Sequence, residues 1–309
     1  MNAPFHIVVN SGSGKQEASD VEAAVQAELE AAGRRFNWYR VDEPERLAEV
    51  ARQAVAAAQA DGGVVVAAGG DGTINAVARA TLGSGCAFGV LPLGTFNYFS
   101  RAHGIPSDVP AACRILLTAR PHPVQVGQVN ERVFLVNGSI GLYPELLEER
   151  EVAKQKLGRS RLVAFGAALT TLLRSHRHLR LLVVGKSGQR ELVTPTLFVG
   201  NNRLQLRRVG IPEADLVEQH RLVAVAPKAL GWWGLVGLML RALVGKLGDA
   251  EDVSVLDFEQ LTVKARFGSR RFKVATDGEV TWLTAPLTFR VASHPLLLLR
   301  NDDAGEDPG

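Results

Sequence analysis

The chain has 309 residues, of which 46% are apolar and 22% charged, and its formal net charge is +3. That balance excludes a disordered chain and gives no charge excess for nucleic-acid binding, while the length allows one or two domains. Two cysteines, Cys86 and Cys113, exclude a disulfide scaffold or a CxxC metal site and read as buried thiols in a reducing cytosol.

The start of the chain has no basic segment followed by an apolar run, so no secretory signal is expected and the protein is placed in the cytoplasm. Phe5 to Asn10 is an apolar run with strand character, ending in the small-residue turn Ser11-Gly12-Ser13-Gly14. A helix should follow, with Ser19 and Glu22 spaced as a capping box and Val21, Ala24, Val25 and Leu29 on one face. The Gly14-Lys15 pair suggests a Walker A loop, but Val9 stands where that loop needs Gly and Gln16 where it needs Ser or Thr. Phe36 to Val41 predicts a second strand, and Glu45 to Ala60 an alanine-rich helix.

Next comes the most informative stretch. The apolar run Val64 to Ala68 leads into Gly69-Gly70-Asp71-Gly72-Thr73, and Ile74 to Leu82 has helical character. Glycines at the head of a helix leave backbone amides open to a phosphate at the positive end of the helix dipole. A carboxylate beside a phosphate suits holding Mg2+ or accepting a proton. A plain strand-to-helix turn is the competing reading. Phe88 to Leu91 and the turn Pro92-Leu93-Gly94-Thr95 continue the series. Alternation of this kind implies a mainly parallel sheet covered by helices, with ligands at the carboxyl ends of its strands.

Beyond about residue 125 the pattern changes to short strands, with hairpin signals at Lys186-Ser187-Gly188-Gln189 and Gly268-Ser269 and a helical insertion from about Glu145 to Leu173. An antiparallel β-sandwich is expected over residues 126–294, after an α/β domain over residues 1–125 to which residues 295–309 could return. Gly231 to Leu247 is too short, too glycine-rich and too charged to span a membrane. Its Trp232-Trp233 pair, apolar stretch, Arg241 and Lys246 suit an interfacial helix, with a buried helix or a homodimer contact as the alternatives. A second basic and apolar surface is offered by Lys154, Lys156, Arg159, Arg161, Arg174, Arg177 and Arg180. The seven histidines show no metal-ligand spacing.

Three ordered motifs, Asn10 to Gly14, Gly69-Gly70-Asp71-Gly72-Thr73-Ile74-Asn75 and Leu91-Pro92-Leu93-Gly94-Thr95-Phe96-Asn97, together with Thr276-Asp277-Gly278-Glu279, resemble the diacylglycerol kinase and sphingosine kinase superfamily, and in particular its bacterial soluble lipid kinases. The resemblance implies an NAD kinase-like α/β domain that binds nucleotide, a β-sandwich that takes the lipid, and a cleft between them. It also implies an ATP-dependent kinase acting on a lipid hydroxyl of diacylglycerol type in phospholipid metabolism, with ATP and Mg2+ and peripheral membrane contact.

By the same resemblance, Asn10, Ser11, Gly12, Ser13, Gly14, Gly69, Gly70, Asp71, Gly72, Thr73, Ile74, Asn75 and Thr95 fall on ATP-contacting positions. Glu279 falls on the presumed proton acceptor, and Asp71 on a catalytic or metal-linked carboxylate. Three departures stand out: Tyr98 where relatives often carry Asp, Arg40-Val41 where a nucleotide-contacting Thr is expected, and Pro212 to His220 without the family's Asp-Gly. In that last loop Asp215 or Glu218 would have to support a metal. A soluble small-molecule kinase of NAD kinase type and a catalytically silent nucleotide- or lipid-binding protein are the rival readings.

Overall fold

The computed structural model describes residues 3–10, 15–148, 178–186, 188–266 and 271–302, without the side chains at 15–19, 218 and 232. Two compact units result: residues 1–126 with 293–309, and residues 127–292.

The first unit is built on one six-stranded sheet. It comprises β1 (Phe5–Asn10), β2 (Phe36–Val41), β3 (Val64–Gly69), β4 (Ala87–Pro92), β5 (Arg120–Val124) and β18 (Leu296–Arg300), in the order β2-β1-β3-β4-β18-β5. All neighbours are parallel except β5, which runs antiparallel to β18. β1 and β3 are apolar along nearly their whole length and buried on both faces, as parallel strands under two helical layers must be. α1 (Lys15–Ala31) carries the chain from β1 outward to β2, and α2 (Leu47–Asp61) carries it back past β1 to β3. Right-handed crossovers in opposite directions put these helices on opposite faces. Accordingly α1 packs against α5 (Val109–Thr118), and α2 against α3 (Asp71–Thr81).

Two local expectations need correction. α1 begins at Lys15, so Ser19 lies inside the helix and does not cap it, and of the expected apolar face Val25 and Leu29 are buried whereas Ala24 is exposed. α3 starts at Asp71 itself, three residues before the apolar periodicity becomes visible. Cys86 and Cys113 are buried free thiols, and burial, with a smaller contribution from Glu28, pushes the Cys113 thiol up to about 11.

The second unit is an antiparallel sandwich of two six-stranded sheets. One is ordered β10 (Gly188–Thr194), β9 (Leu179–Gly185), β14 (Gln260–Ala265), β17 (Leu287–Val291), β6 (Gly127–Val129), β7 (Arg132–Phe134), and the other β13 (Val253–Phe258), β12 (Leu222–Pro227), β11 (Thr196–Gly200), β8 (Asn137–Gly141), β15 (Arg271–Thr276), β16 (Glu279–Thr284). Their inner faces share one core. Phe134, Leu181, Val263 and Phe289 come from the first sheet, and Ile140, Leu197, Ala224 and Val274 from the second. The helix Arg203–Arg208 and the 3-10 segment Pro212–Gln219 cover the outer face of the second sheet, where Leu206, Ile211 and Val217 meet Val223 and Val225 of β12 (Leu222–Pro227).

The predicted hairpin around Gly188 is present, with Gly188 opposite Gly185 between β9 (Leu179–Gly185) and β10 (Gly188–Thr194). The one predicted at Gly268-Ser269 is not: β14 (Gln260–Ala265) pairs with β9 and β17, whereas β15 (Arg271–Thr276) pairs with β8 and β16 in the other sheet. Residues 142–148 are helical, and the remainder of the expected insertion lies outside the described residues. So does the predicted basic surface, except for Arg180 on β9. Among the described residues no helix is long and apolar enough to cross a membrane.

Candidate active site

The strand order places a topological switch between β1 and β3, since the chain leaves β1 in one direction and returns to β3 on its other side. Ligands bind in the crevice that such a switch opens at the carboxyl ends of the strands. Asn10 ends β1 and Gly69 ends β3, so the sequence motifs and the crevice coincide. The Asn10 amide donates from Nδ2 to Thr73 Oγ1 at 3.4 Å, which links the end of β1 to the first turn of α3. Ser11 to Gly14, which continue from Asn10, lie outside the described residues.

The turns after β3 and β4 are held against each other by missing side chains. A Cβ on Gly94 would lie 2.7 Å from Gly70 Cα and 2.8 Å from Asn97 Oδ1. One on Gly69 would lie 2.7 Å from the Thr73 side chain. Leu93 N–H donates to Gly69 O at 2.9 Å and continues the ladder past the strand ends. Asn97 then ties the second turn together. Its Oδ1 accepts from Gly94 N at 3.1 Å, while its Nδ2 donates to Gly94 O at 2.8 Å and to Ser107 Oγ at 3.3 Å. Asn97 sits at φ 49, a left-handed conformation that Asn tolerates better than most residues.

Asp71 occupies the junction. The backbone amides of Asn97, Tyr98 and Phe99 donate to its carboxylate, so a residue from the second motif caps α4 (Tyr98–Ala102), which follows the third. Desolvation pushes the Asp71 carboxyl above its ordinary value, against the downward pull of these three amides. One oxygen, Oδ1, is buried with no hydrogen-bond partner among the described residues. A buried carboxylate oxygen without a donor fits a hard cation, so Mg2+ is compatible with this position. The amides of Asp71, Gly72 and Thr73 head α3 with no intrahelical acceptor in reach, and α3 is the element whose dipole favours an anion there.

Other predicted residues fare differently. Thr95 is exposed and Asn75 half-buried, both next to these turns. Ile74 is fully buried and its amide donates to Gly70 O at 3.0 Å, so it offers a ligand neither side chain nor backbone donor and belongs to the core. Arg40, where a Thr was expected, pairs with Glu22 on α1 at 2.8 Å. Tyr98 stacks on the half-exposed Phe96, with ring centroids 5.9 Å apart and planes 5° from parallel.

In the second unit, Asp277 (φ 48) and Gly278 (φ 92) form the two-residue turn between β15 and β16 (Glu279–Thr284), a left-handed pair that suits a tight hairpin. The Asp277 carboxylate accepts from the amides of Leu135, Val136 and Asn137 at 2.6, 2.9 and 2.9 Å. Glu279, the first residue of the edge strand β16, is exposed. Asp215 is exposed and paired with Arg207 at 2.7 Å, and the Glu218 side chain is not among those described. No cluster of three or more His, Cys, Asp or Glu with metal-site geometry occurs among the described residues, which leaves Asp215 without co-ligands there.

The glycines allow a direct test. Gly94→Ala should push two backbones apart, lowering stability by roughly 1–3 kcal/mol, a loss that thermal melts would read. At Gly72 a Cβ meets no atom within 4 Å, so Gly72→Ala should leave the melting temperature unchanged or slightly raised. If a phosphate lies against that amide, calorimetric ATP affinity should still fall.

Residues 4–129 match the diacylglycerol kinase catalytic domain. A Klebsiella pneumoniae protein described as a probable lipid kinase YegS-like is 43% identical over 79 residues, 25% of this chain and 27% of that protein. A diacylglycerol kinase of Staphylococcus epidermidis is 32% identical over 137 residues, 44% of this chain and 42% of its own length. These matches therefore span only a quarter to two fifths of the relatives' lengths. The crystal structure of a diacylglycerol kinase from Bacillus anthracis shares the fold over 98% of both chains, with a TM-score of 0.70 at 16% identity. The unit that carries the glycine turns and Asp71 is thus the one whose sequence matches the diacylglycerol kinase catalytic domain, over residues 4–129.

Proposed function

We propose that the protein is a lipid kinase that moves the γ-phosphoryl group of ATP onto a lipid hydroxyl of diacylglycerol type. The observation that carries this reading is the meeting of the β3 and β4 turns at Gly70 and Gly94, beside an α3 N-terminus and a buried carboxylate oxygen, inside the region matching the family. Phosphoryl transfer needs phosphate charge neutralised and the hydroxyl aligned, with an acceptor for its proton.

In this reading the open amides of α3 and the turn following Asn10 hold the phosphates. Asp71 Oδ1 would hold Mg2+, which when bound neutralises phosphate charge. Glu279 would take the proton as the lipid oxygen bonds to the γ-phosphorus and the bridging bond to ADP breaks. Asn10 to Gly14, Gly69 to Thr73, Asn75 and Thr95 are assigned to the nucleotide, the first unit to nucleotide binding and the second to the lipid. A metal role for Asp215 would have to break its ion pair with Arg207.

Incubation with γ-labelled ATP, Mg2+ and a panel of lipids and soluble alcohols tests the reading. Labelled lipid supports it, and label on a soluble acceptor alone replaces it with a kinase of NAD kinase type. Nucleotide binding without any transfer would show a silent binding protein. Glu279→Gln should reduce turnover by about 100-fold or more while leaving ATP affinity within twofold. Unchanged turnover would remove Glu279 from the mechanism.

A further inference from the structure

Seven large hydrophobic residues are exposed among those described, and four of them, Trp233, Leu240, Leu243 and Val244, fall within twelve residues of one another. Such crowding is not the scatter expected of ordinary surface residues. The helix Trp232–Leu243 explains it. Leu235, Leu238 and Met239 lie on its inner side, where Leu235 and Met239 pack with Leu142 and Leu146 of the helical residues 142–148. Positions 233, 240 and 244 recur at helical spacing on the other side, with Trp233 72% and Leu243 73% exposed.

The helix itself carries charge of one sign, and the carboxylates Asp249, Glu251 and Asp252 begin only after it, Asp252 pairing with Lys228 at 3.9 Å. From Lys228 to Gly248 the chain carries three cations, Lys228, Arg241 and Lys246, and no carboxylate. A second aromatic and basic group lies on the same outer side of the sandwich. Phe272 and Val274 of β15 face the core, so Arg271 and Lys273 face outward, and Trp282 is paired opposite Lys273. Both cations lie 5.5 Å from the Trp282 ring, and Trp282 is half-exposed. Lys273 also pairs with Glu148, at the end of the helical stretch on which the apolar helix packs.

We infer that this helix face docks on an anionic lipid bilayer, with Trp233 at the headgroup level, Leu240, Leu243 and Val244 in the acyl boundary, and Arg241 and Lys246 on the lipid phosphates. The inference rests on the lipid-kinase reading, which requires a substrate dissolved in a membrane. An apolar helix face with Arg241 and Lys246 beside it and no carboxylate within the helix is the pattern of an interfacial helix, and it complements an anionic surface better than a second copy of itself.

Cosedimentation of the full chain with phosphatidylcholine vesicles and with equimolar phosphatidylcholine and phosphatidylglycerol vesicles is the test. Binding should be strong only to the anionic vesicles and should weaken with salt. The double substitution Leu240→Glu with Val244→Glu, at exposed positions where the fold is kept, should lower binding at least tenfold, and Arg241→Ala about fivefold. Two results would overturn the inference: wild-type protein that stays in the supernatant, or a double variant that binds as tightly. So would ultracentrifugation showing a dimer that the double variant splits while vesicle binding is absent. A turnover assay separates the two readings. The double variant should phosphorylate a short-chain diacylglycerol in free solution normally and the vesicle-embedded lipid poorly. Vesicle binding by a protein that phosphorylates neither would leave the docking face standing and remove the kinase.

Discussion

Asp71→Asn should lower lipid phosphorylation by roughly 100- to 1,000-fold while leaving the protein folded, as expected for losing one preorganised charge in a phosphoryl-transfer site. Asn keeps an oxygen that can accept from the amides of Asn97, Tyr98 and Phe99, so the cap on α4 survives. Asp71→Ala removes that acceptor as well and should cost a further ~1–2 kcal/mol of stability.

The pH dependence distinguishes the two roles. Because the folded carboxyl is raised above its unfolded value, chiefly by desolvation, the folded state holds the proton more tightly. The stability linked to that proton is fully present below the unfolded value and is lost as pH rises through the folded one. Relative to Asp71→Asn, the wild type should therefore lose stability from about pH 4 toward neutrality. Thermal melts of both proteins across that range check the sign. A wild type that gains stability over the variant in this window would mean that the three amides outweigh burial.

The largest stability effect is expected at Asp277. Leu135 and Val136 carry the chain from β7 (Arg132–Phe134) in one sheet to β8 (Asn137–Gly141) in the other, and both are buried. Such a crossing leaves backbone groups with no ladder partner, and each must be satisfied some other way. The Asp277 carboxylate takes the amides of residues 135, 136 and 137, and Asn201 supplies donors to the carbonyls of Leu135 and Val136.

Asp277→Ala strands three buried donors and should cost about 3–5 kcal/mol, seen as a fall of roughly 10 °C in melting temperature. Asp277→Gly relieves any left-handed strain but loses the same acceptor, so it should fall almost as far. A Gly variant as stable as the wild type would assign the effect to backbone strain instead. Since Asp277 precedes Glu279, activity loss in either Asp277 variant must be read against this loss of stability.

These two carboxylates show what the sequence made legible. The glycine turns at 69–73 and 92–95 and the strands before them follow from short-range rules, because an apolar run ending in glycines reads the same in any context. The parallel sheet and the change to antiparallel pairing near residue 126 were visible for the same reason. Asn97 escaped notice as an organiser, although an Asn just past a Gly-Thr turn is a signal for a left-handed residue.

The role of Asp277 had no local signal at all, since its partners lie some 140 residues earlier in the chain. An Asp-Gly pair favours a tight turn, and only the tertiary fold shows that the Asp277 carboxylate stitches two sheets together. The Gly268-Ser269 hairpin failed for a related reason: turn residues report a change of direction, and here the chain changes sheet instead of pairing with itself. Ile74 sits in the motif but points into the core, because a helix beginning at Asp71 turns its fourth residue inward.

The claim that the β3 and β4 turns hold nucleotide phosphate is tested most directly by amide resonances of the protein titrated with Mg2+ and ATP. The amides of Asp71, Gly72 and Thr73 at the head of α3, with Gly94 beside them, should shift in saturable fashion, and Gly72→Ala should weaken the titration without altering the rest of the spectrum. Saturable ATP binding that moves none of these four amides would contradict the account.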